Sequence, residues 1–306
     1  MRLFVLDLVE LEAAELLVQS AQDFFPALVV HASPVGLVDL RPEPPIVAHP
    51  VHRTTASALG SEGPFSGRSA LVLGGSRGLG RAVALALARA GARVLATGRR
   101  PEALAELRAI ARARGTSLLT LRSDAEKNAQ VRAAFRRAAS SVGGPDLLVH
   151  AVGDYWEGSW SRLSGERWEA LARSNVTSAI YAIQEALPGM RRRRYGRIVL
   201  FGVAGGDSPR AAARAHAYRA AKVALLTLAR SVAHEEAGNG ITVNMILPGV
   251  IRTGIPTRSA ALLARSIPAR RLGTPQEVAR AALFLLSHES GYITGSTLTL
   301  SGGFLL

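Results

Sequence analysis

Tyr218 and Lys222 are the two residues whose types and spacing most directly suggest chemistry. They lie four residues apart in the stretch HAYRAAKVALLTLA, where apolar residues recur at intervals of three and four, a pattern that predicts a helix. Residues i and i+4 share one face of a helix, so we expect a phenol beside an ammonium group. The ammonium group would favour the phenolate and lower the pKa of Tyr218 toward working pH, as a general acid/base requires.

Lysine is scarce in this chain, which makes Lys222 conspicuous. Of 37 basic residues, only Lys127 and Lys222 are lysines. A compact ammonium group can also bind ribose hydroxyls, whereas the planar arginine fork suits bidentate anions. The Tyr-x-x-x-Lys spacing is common on exposed helices, however, so a functional interpretation needs a second motif.

A glycine-rich turn supplies that second motif. The segment SALVLGGSRGLGRAVALALARAGARVLATGRR predicts a strand at residues 70–73, a turn, a helix at about 79–90 and a second strand at 93–97. Glycine is needed where the backbone approaches a pyrophosphate, and the amino end of the helix attracts that anion. In this strand–turn–helix context, Gly74, Gly78 and Gly80 indicate a dinucleotide site.

The combination of G-x-x-x-G-x-G with a distant Y-x-x-x-K resembles the short-chain dehydrogenase/reductase superfamily. The resemblance covers residues 64–306 and is closest in look to the 3-oxoacyl-[acyl-carrier-protein] reductases. Its further matches are DLLVHAVG (146–153), GRIVLFG (196–202), ITVNMILPGVIRT (241–253) and the segment 271–303.

Short apolar strands alternate with helical stretches along the chain. This order predicts an α/β fold with a doubly wound parallel sheet, the Rossmann fold, because right-handed crossovers place helices on both faces. We expect one such domain at residues 64–306, preceded by an extension at 1–63 that matches nothing in the family pattern. The extension has three open explanations: a small packing appendage, an acidic arm lying on the basic body, or a start codon assigned too early.

The end of the second strand predicts which nicotinamide cofactor binds. An acid there would bind the ribose hydroxyls of NAD, but Gly98 holds this position. Arg99 follows it and Arg77 lies in the glycine turn, and guanidinium groups suit the extra phosphate of NADP. We therefore expect NADP (NADPH), and no metal. The resemblance assigns cofactor binding to Gly74, Ser76, Arg77, Gly78, Leu79, Gly80, Arg99, Asp124, Gly153, Tyr218, Lys222, Pro248 and Gly249.

The family's catalytic residues are an asparagine, a serine, a tyrosine and a lysine. The resemblance carries three of these roles over, to Asn175, Tyr218 and Lys222. It implies that Asn175 anchors a water molecule that relays protons through Lys222. His150 and Ala151 replace a pair of asparagines that shape a turn in the family.

The family's serine is missing from this chain. Val203 occupies its place in the strand alignment, and Gly205 does so in an ungapped count back from Tyr218. Loss of one hydrogen-bond donor to a substrate oxygen costs roughly 10²–10³ in rate when nothing replaces it. Ser208 is the candidate replacement, with Asp207 or water as alternatives.

Charge is distributed unevenly along the chain. Residues 1–66 hold three arginines and eight acids, a net charge of −5. The remaining residues carry a net charge of +19, which gives the total of +14. The arginines are scattered and lack interleaved aromatic residues, so we expect no nucleic-acid binding. One dense run matches the region where the resembled reductases meet their acidic carrier protein, although their second basic position is Asn239 here. That run is Arg191, Arg192, Arg193 and Arg194.

Composition limits the environment of the protein. The absence of cysteine excludes disulfides and thiolate catalysis. No apolar run is long enough to span a bilayer, and the acids among residues 7–15 argue against a secretory signal. We expect a cytoplasmic protein.

These observations predict an NADPH-dependent oxidoreductase that reduces the carbonyl group of a 3-oxoacyl thioester or of another ketone or aldehyde. The resemblance implies a homodimer or homotetramer, paired through the helix after Asn175 and the helix that carries Tyr218. The alternative is an NADP-binding protein with weak or no turnover, acting as a sensor or an oligomer partner. The missing serine favours that alternative, and the retained Lys222 opposes it.

Overall fold

Within the part of the chain that the structure describes, seven parallel strands form one sheet. The computed structural model describes residues 63–208, 211–212, 214–254 and 257–305. The spatial order of the strands is β3-β2-β1-β4-β5-β6-β7. The strands are β1 (Ser69–Leu73), β2 (Arg93–Gly98), β3 (Leu119–Arg122), β4 (Leu147–His150), β5 (Gly196–Phe201), β6 (Ile241–Pro248) and β7 (Thr297–Leu300).

The helices that connect these strands begin at recognisable signals. Proline occupies the first turn of two of them, and Thr274 and Glu277 form a reciprocal capping box at the start of the last. Those that the structure describes are α1 (Gly78–Arg89), α2 (Pro101–Ala113), α3 (Asn128–Val142), α4 (Gly165–Ala172), α5 (Ser178–Arg193), α6 (His216–Glu236), α7 (Thr257–Arg265) and α8 (Pro275–Leu286).

The sheet is covered on both faces. Apolar side chains of α1, α2 and α8 pack on one face, and those of α3, α5 and α6 pack on the other. Every residue of β1, β4, β5 and β6 is buried, whereas the edge strands β3 and β7 are partly exposed. This two-sided burial explains why the central strands are continuous apolar runs rather than alternating ones.

The chain reverses its direction across the sheet between β1 and β4. From β1 it proceeds outward to β2 and β3, then returns to β4 on the other side of β1, where Leu73 pairs with His150. The connections leave these two strands in opposite directions, which opens a crevice at their carboxyl ends. Ligands of doubly wound sheets bind in this crevice.

The predicted fold is confirmed, with small differences in the bounds of its elements. The first strand begins one residue earlier than predicted, and α1 is shifted by one residue toward the amino end. Asn175 lies in a turn of π-helix, Arg173–Thr177, between α4 and α5 rather than in regular helix. Apart from Gly63, the predicted extension lies outside the described residues. None of the described helices is long and apolar enough to cross a membrane.

Candidate active site

A cavity of about 1070 Å³ lies at the carboxyl ends of the central strands. It gathers residues that directly follow β1, β4, β5 and β6, as the reversal between β1 and β4 requires. Almost all of the predicted cofactor-binding residues line it. They are Gly74, Ser76, Arg77, Gly78, Leu79, Arg99, Asp124, Gly153, Tyr218, Lys222, Pro248 and Gly249.

The turn between β1 and α1 is built around close backbone approaches. Gly74 has φ +76°, which a residue with a side chain rarely adopts. Gly80 does not line the cavity but packs beneath it, since a Cβ atom there would lie 2.3 Å from the Gly74 carbonyl oxygen. Arg77 precedes α1 and makes no side-chain cap, so the first N–H groups of α1 remain free to bind an anion. This cradle fits the pyrophosphate of a dinucleotide.

Gly98, at the end of β2, is held against the glycine turn. A Cβ atom at this position would lie 2.4 Å from Ser76 Oγ and 2.6 Å from Ser76 Cβ. An acidic side chain at position 98 is therefore excluded sterically as well as being absent from the sequence.

Arg99 directly follows β2 and lies beside two acids. Its guanidinium group is 3.4 Å from Glu126 Oε1 and 3.7 Å from Asp154 Oδ1. The side chain is 53% exposed, so both ion pairs are weak and exchangeable. Arg77 and Arg100 line the same part of the cavity. A phosphate group here would meet several guanidinium groups.

Lys222 is buried at the base of the cavity. Its ammonium group donates a 2.8 Å hydrogen bond to the carbonyl oxygen of Phe201, the last residue of β5. Burial lowers the pKa of Lys222 to about 8. The ammonium group is therefore available as a proton carrier near neutral pH.

Asn175 and Gly153 complete the surroundings of Lys222. Asn175 Nδ2 donates to the carbonyl oxygens of Asp154 and Leu171, each at 3.0 Å, which aims Oδ1 away from the helix. Asn175 Oδ1 is buried and has no hydrogen-bond partner among the described residues. A Cβ atom at Gly153 would lie 2.2 Å from this oxygen and 3.2 Å from Lys222 Nζ, so both polar atoms face the same glycine. A water molecule that bridges them would satisfy the unpaired oxygen.

Tyr218 lies beside Lys222, but its pKa moves in the direction opposite to the one predicted. Lys222 Nζ is 5.7 Å from the centre of the Tyr218 ring. Burial, and then the charge of Tyr155, raises the pKa of Tyr218 to about 12. The predicted lowering of the Tyr218 pKa by Lys222 is wrong, because burial of the phenol dominates the shift. Tyr218 is therefore a neutral proton donor at physiological pH.

Tyr155 and Glu157 also line the cavity, and the sequence analysis missed both. The rings of Tyr155 and Tyr218 meet edge to face with their centres 5.1 Å apart. The Tyr155 hydroxyl donates to Glu157 Oε2 at 2.8 Å. Burial, and then this hydrogen bond, raises the pKa of Tyr155 to about 12. The sequence carries one signal that could have identified them: both residues closely follow the carboxyl end of β4.

Aromatic contacts hold the segment that carries Tyr155 on the first turn of α6. The rings of Trp156 and Trp160 pack against His216, with centres 5.7 and 5.1 Å apart. Gly158 N donates to the Arg214 carbonyl at 2.8 Å. These contacts hold Tyr155 next to Tyr218, because Tyr218 lies only two residues after His216.

Val203, at the position of the family's serine, lines the cavity with an apolar side chain. Ser208, the predicted replacement, is not among the described residues that line it. The Ser208 carbonyl oxygen instead accepts a 3.2 Å hydrogen bond from Arg219, which also binds the carbonyl oxygens of Ala204 and Gly205. The structure therefore brings Asn175, Tyr218 and Lys222 together but leaves Ser208 apart.

The run of four arginines directly precedes β5. It therefore lies at the amino end of that strand, away from the cavity at the carboxyl ends. All four side chains are exposed, and three of them make contacts within the described part of the chain. The hydrogen bond from Arg191 lowers the pKa of Glu236. The contacts are Arg191 with Glu236, Arg193 with Asp146 at 3.0 Å and Arg194 with the Gly238 carbonyl at 2.6 Å.

Comparisons with known proteins identify the family of this chain. The family model described as enoyl-(acyl carrier protein) reductase matches residues 74–305. The 3-oxoacyl-[acyl-carrier-protein] reductase of Escherichia coli (strain K12) is 35% identical over 248 residues, which cover 79% of this chain and 99% of that protein. The chain belongs to the short-chain dehydrogenase/reductase family.

Solved structures with the same fold include complexes with nicotinamide cofactors. The RhlG/NADP active-site complex of Pseudomonas aeruginosa matches with a TM-score of 0.73 and 32% identity, over 79% of this chain and 99% of that one. A blue fluorescent protein from a metagenomic library, in complex with NADPH, matches with a TM-score of 0.72 and 29% identity, over 79% and 100%. This protein is thus an oxidoreductase that uses a nicotinamide cofactor to interconvert carbonyl and alcohol groups.

His150, the last residue of β4, makes the stability of the protein depend on pH. It is 1% exposed, and burial together with the charge of Lys222 lowers its pKa to about 3. The unfolded chain therefore binds a proton below pH 6.5 that the folded chain does not, so stability falls as the pH falls from 6.5 toward 3.

We predict that the free energy of unfolding decreases by about 2 kcal/mol more in the unmodified protein than in His150→Asn between about pH 7.5 and 5. Urea denaturation at both pH values measures the difference. An equal decrease in both proteins would show that His150 accepts its proton in the folded state.

Proposed function

We propose that this protein is an NADPH-dependent carbonyl reductase. The single observation that carries the proposal is a buried ammonium group beside a neutral phenol, in the cavity that also contains the glycine cradle. When bound, the reduced nicotinamide supplies the hydride. The phosphate of the adenosine half would meet Arg77 and Arg99, and Lys222 would bind the ribose hydroxyls.

The chain's own residues then handle the proton. Tyr218 donates its proton to the carbonyl oxygen as the carbonyl carbon receives the hydride, so that a C–H bond and an O–H bond form and the product is an alcohol. Lys222 returns a proton to the resulting phenolate. Its pKa of about 8 suits this exchange near neutral pH. Asn175 Oδ1, which has no partner, would hold the water that supplies Lys222.

A second hydrogen-bond donor to the carbonyl oxygen is needed because Val203 has no hydroxyl group. Tyr155 is better placed than Ser208 for this role, because its ring contacts the Tyr218 ring and it lines the cavity. Its hydroxyl hydrogen would turn from Glu157 to the substrate. Glu157 is 49% exposed and lies 3.9 Å from Arg214, so solvent and Arg214 stabilise it when it loses this donor.

The substrate part of the cavity is largely apolar. Val203, Val250, Ile251 and Leu263 line it. This lining and the relatives' printed activity support a 3-oxoacyl thioester or another ketone or aldehyde with an apolar chain. Docking of an acyl carrier protein on Arg191–Arg194 has less support, since Arg192 is the one arginine of that run with no contact inside the described chain.

We also propose a homodimer or homotetramer that pairs through α5 and α6. The two helices cover the same face of the sheet, and Leu228 of α6 is 37% exposed.

A second candidate function is cofactor binding without appreciable turnover. One observation favours it: Val203, which lines the cavity, has no hydroxyl group to donate. Screening NADPH oxidation across ketones, 3-oxoacyl thioesters and quinones separates the two candidates, because a sensor would bind NADPH and oxidise it with none of them.

Tyr218→Phe should lower kcat for reduction by roughly 10²–10⁴-fold while NADPH binding stays nearly unchanged, because only the proton donor is lost. Steady-state NADPH oxidation and a fluorescence titration measure the two quantities. Full activity in this variant would refute the proposed mechanism.

Tyr155→Phe should lower kcat by roughly 10- to 100-fold, below the full cost of a lost oxyanion donor because water can partly replace it. Ser208→Ala is the matched control and should have little effect. A larger loss of kcat in Ser208→Ala than in Tyr155→Phe would assign the donor role to Ser208 instead.

NADPH should bind more tightly than NADH. Arg99→Ala should reduce the difference between their binding free energies by about 1–3 kcal/mol, the range of a hydrogen bond to a charged group. Arg112→Ala, an exposed arginine of α2 outside the cavity, is the control for total charge. Equal affinity of the unmodified protein for both cofactors would contradict the assignment.

A further inference from the structure

A second cavity, of about 860 Å³, lies on the outer side of α1 and α8. The carboxyl end of α2 and the segment after β6 close its sides. We call it the arginine cleft, because six arginines and no acidic residue are among the described residues that line it. The arginines are Arg77, Arg81, Arg89, Arg114, Arg252 and Arg280.

Within the described part of the chain, the positive charge of this cleft is largely uncompensated. Arg81 forms an ion pair with Glu106 at 2.7 Å. The other five side chains make no ion pair or hydrogen bond among the described residues, and all five are exposed. By contrast, Arg193 and Arg271 are held by acids elsewhere in the fold. Like charges gathered in one concavity repel one another, and a bound polyanion relieves that repulsion.

The floor of the arginine cleft is apolar. Ala82 and Ala86 of α1 and Leu283 of α8 form part of it, and Ile110 of α2 borders it. These four side chains are only partly buried. Guanidinium groups bind phosphate through paired hydrogen bonds, and the floor offers contact to an apolar or aromatic group. The lining therefore suits a ligand that carries both chemical features.

The arginine cleft adjoins the cofactor cavity. Arg77, Gly78 and Thr253 line both cavities, so the segment after β6 forms part of a shared wall. An anion in the cleft would draw Arg77 away from the cofactor and add negative charge near the dinucleotide phosphates. The two sites should therefore weaken each other's ligands reciprocally.

We propose that the arginine cleft is a second binding site, for an organic phosphate that carries at least two phosphate groups together with an apolar portion. This site is separate from the catalytic residues, and its existence does not depend on the proposed reductase activity. Its occupancy would regulate how tightly the nicotinamide dinucleotide binds.

Coenzyme A is a suitable probe, since it carries three phosphate groups and an uncharged arm. The full-length protein is first saturated with NADP, so that the probe cannot bind in the cofactor cavity, and is then titrated by calorimetry. We expect the paired substitution Arg114→Ala and Arg280→Ala to weaken coenzyme A binding by roughly 10-fold or more, since each removes a charge-assisted contact. Arg136→Ala, an exposed arginine of α3 on the opposite face of the sheet, is the matched control and should leave binding unchanged.

Further ligands distinguish the sources of affinity. Hexanoyl-coenzyme A should bind more tightly than coenzyme A, and tripolyphosphate should bind more weakly than both, because only the thioester uses the apolar floor fully. If all three ligands bind equally and their binding disappears at physiological salt, the cleft binds an adventitious ion only, and the proposal is wrong. Tighter binding of a short DNA duplex with the same arginine dependence would replace the proposal with a nucleic-acid surface.

The coupling to the cofactor provides an independent readout. Coenzyme A should raise the Kd of NADPH in the unmodified protein and not in the Arg114/Arg280 variant. Unchanged coenzyme A binding in that variant, with its thermal unfolding intact, would overturn the proposal. Arg280→Glu, which reverses one exposed charge, gives the same test if the double variant fails to fold.

Discussion

The hydrogen bond from Lys222 Nζ to the Phe201 carbonyl oxygen is the interaction on which the site depends. It places a buried ammonium group at the carboxyl end of β5, beside Tyr218 and below the cofactor cavity. The accompanying fall in the pKa of Lys222 to about 8 corresponds to a cost of about 3 kcal/mol to the fold at neutral pH. A fold that only needed stability would have an apolar residue here, so the lysine indicates function.

The surrounding elements have the shapes that this placement demands. Gly153 must lack a side chain because Asn175 Oδ1 and Lys222 Nζ both face it. The π-turn lets Asn175 direct its amide at two backbone carbonyls while its oxygen stays unpaired. The doubly wound sheet brings these residues together because parallel strands present their carboxyl ends at one edge.

The fold, the glycine cradle and the Tyr218–Lys222 pair were predictable from sequence, because each follows from local spacing. Three features were not. The direction of the Tyr218 pKa shift depends on how deeply the fold buries the phenol. The proximity of Tyr155 depends on packing between Trp156 and His216, which are distant in sequence. The arginine cleft joins residues from α1, α2, α8 and the segment after β6, and no local pattern in a chain rich in arginine distinguishes them.

The most direct test of the account is Lys222→Met, which keeps the length of the side chain and removes its charge. We predict an unchanged or higher free energy of unfolding at neutral pH, together with loss of carbonyl reduction and weaker NADPH binding. The three quantities are measured on the same preparation, by urea denaturation, by NADPH oxidation and by a fluorescence titration with NADPH. A variant that unfolds readily would make Lys222 a structural residue, and one that reduces carbonyls at the original rate would contradict the central role of the buried ammonium group.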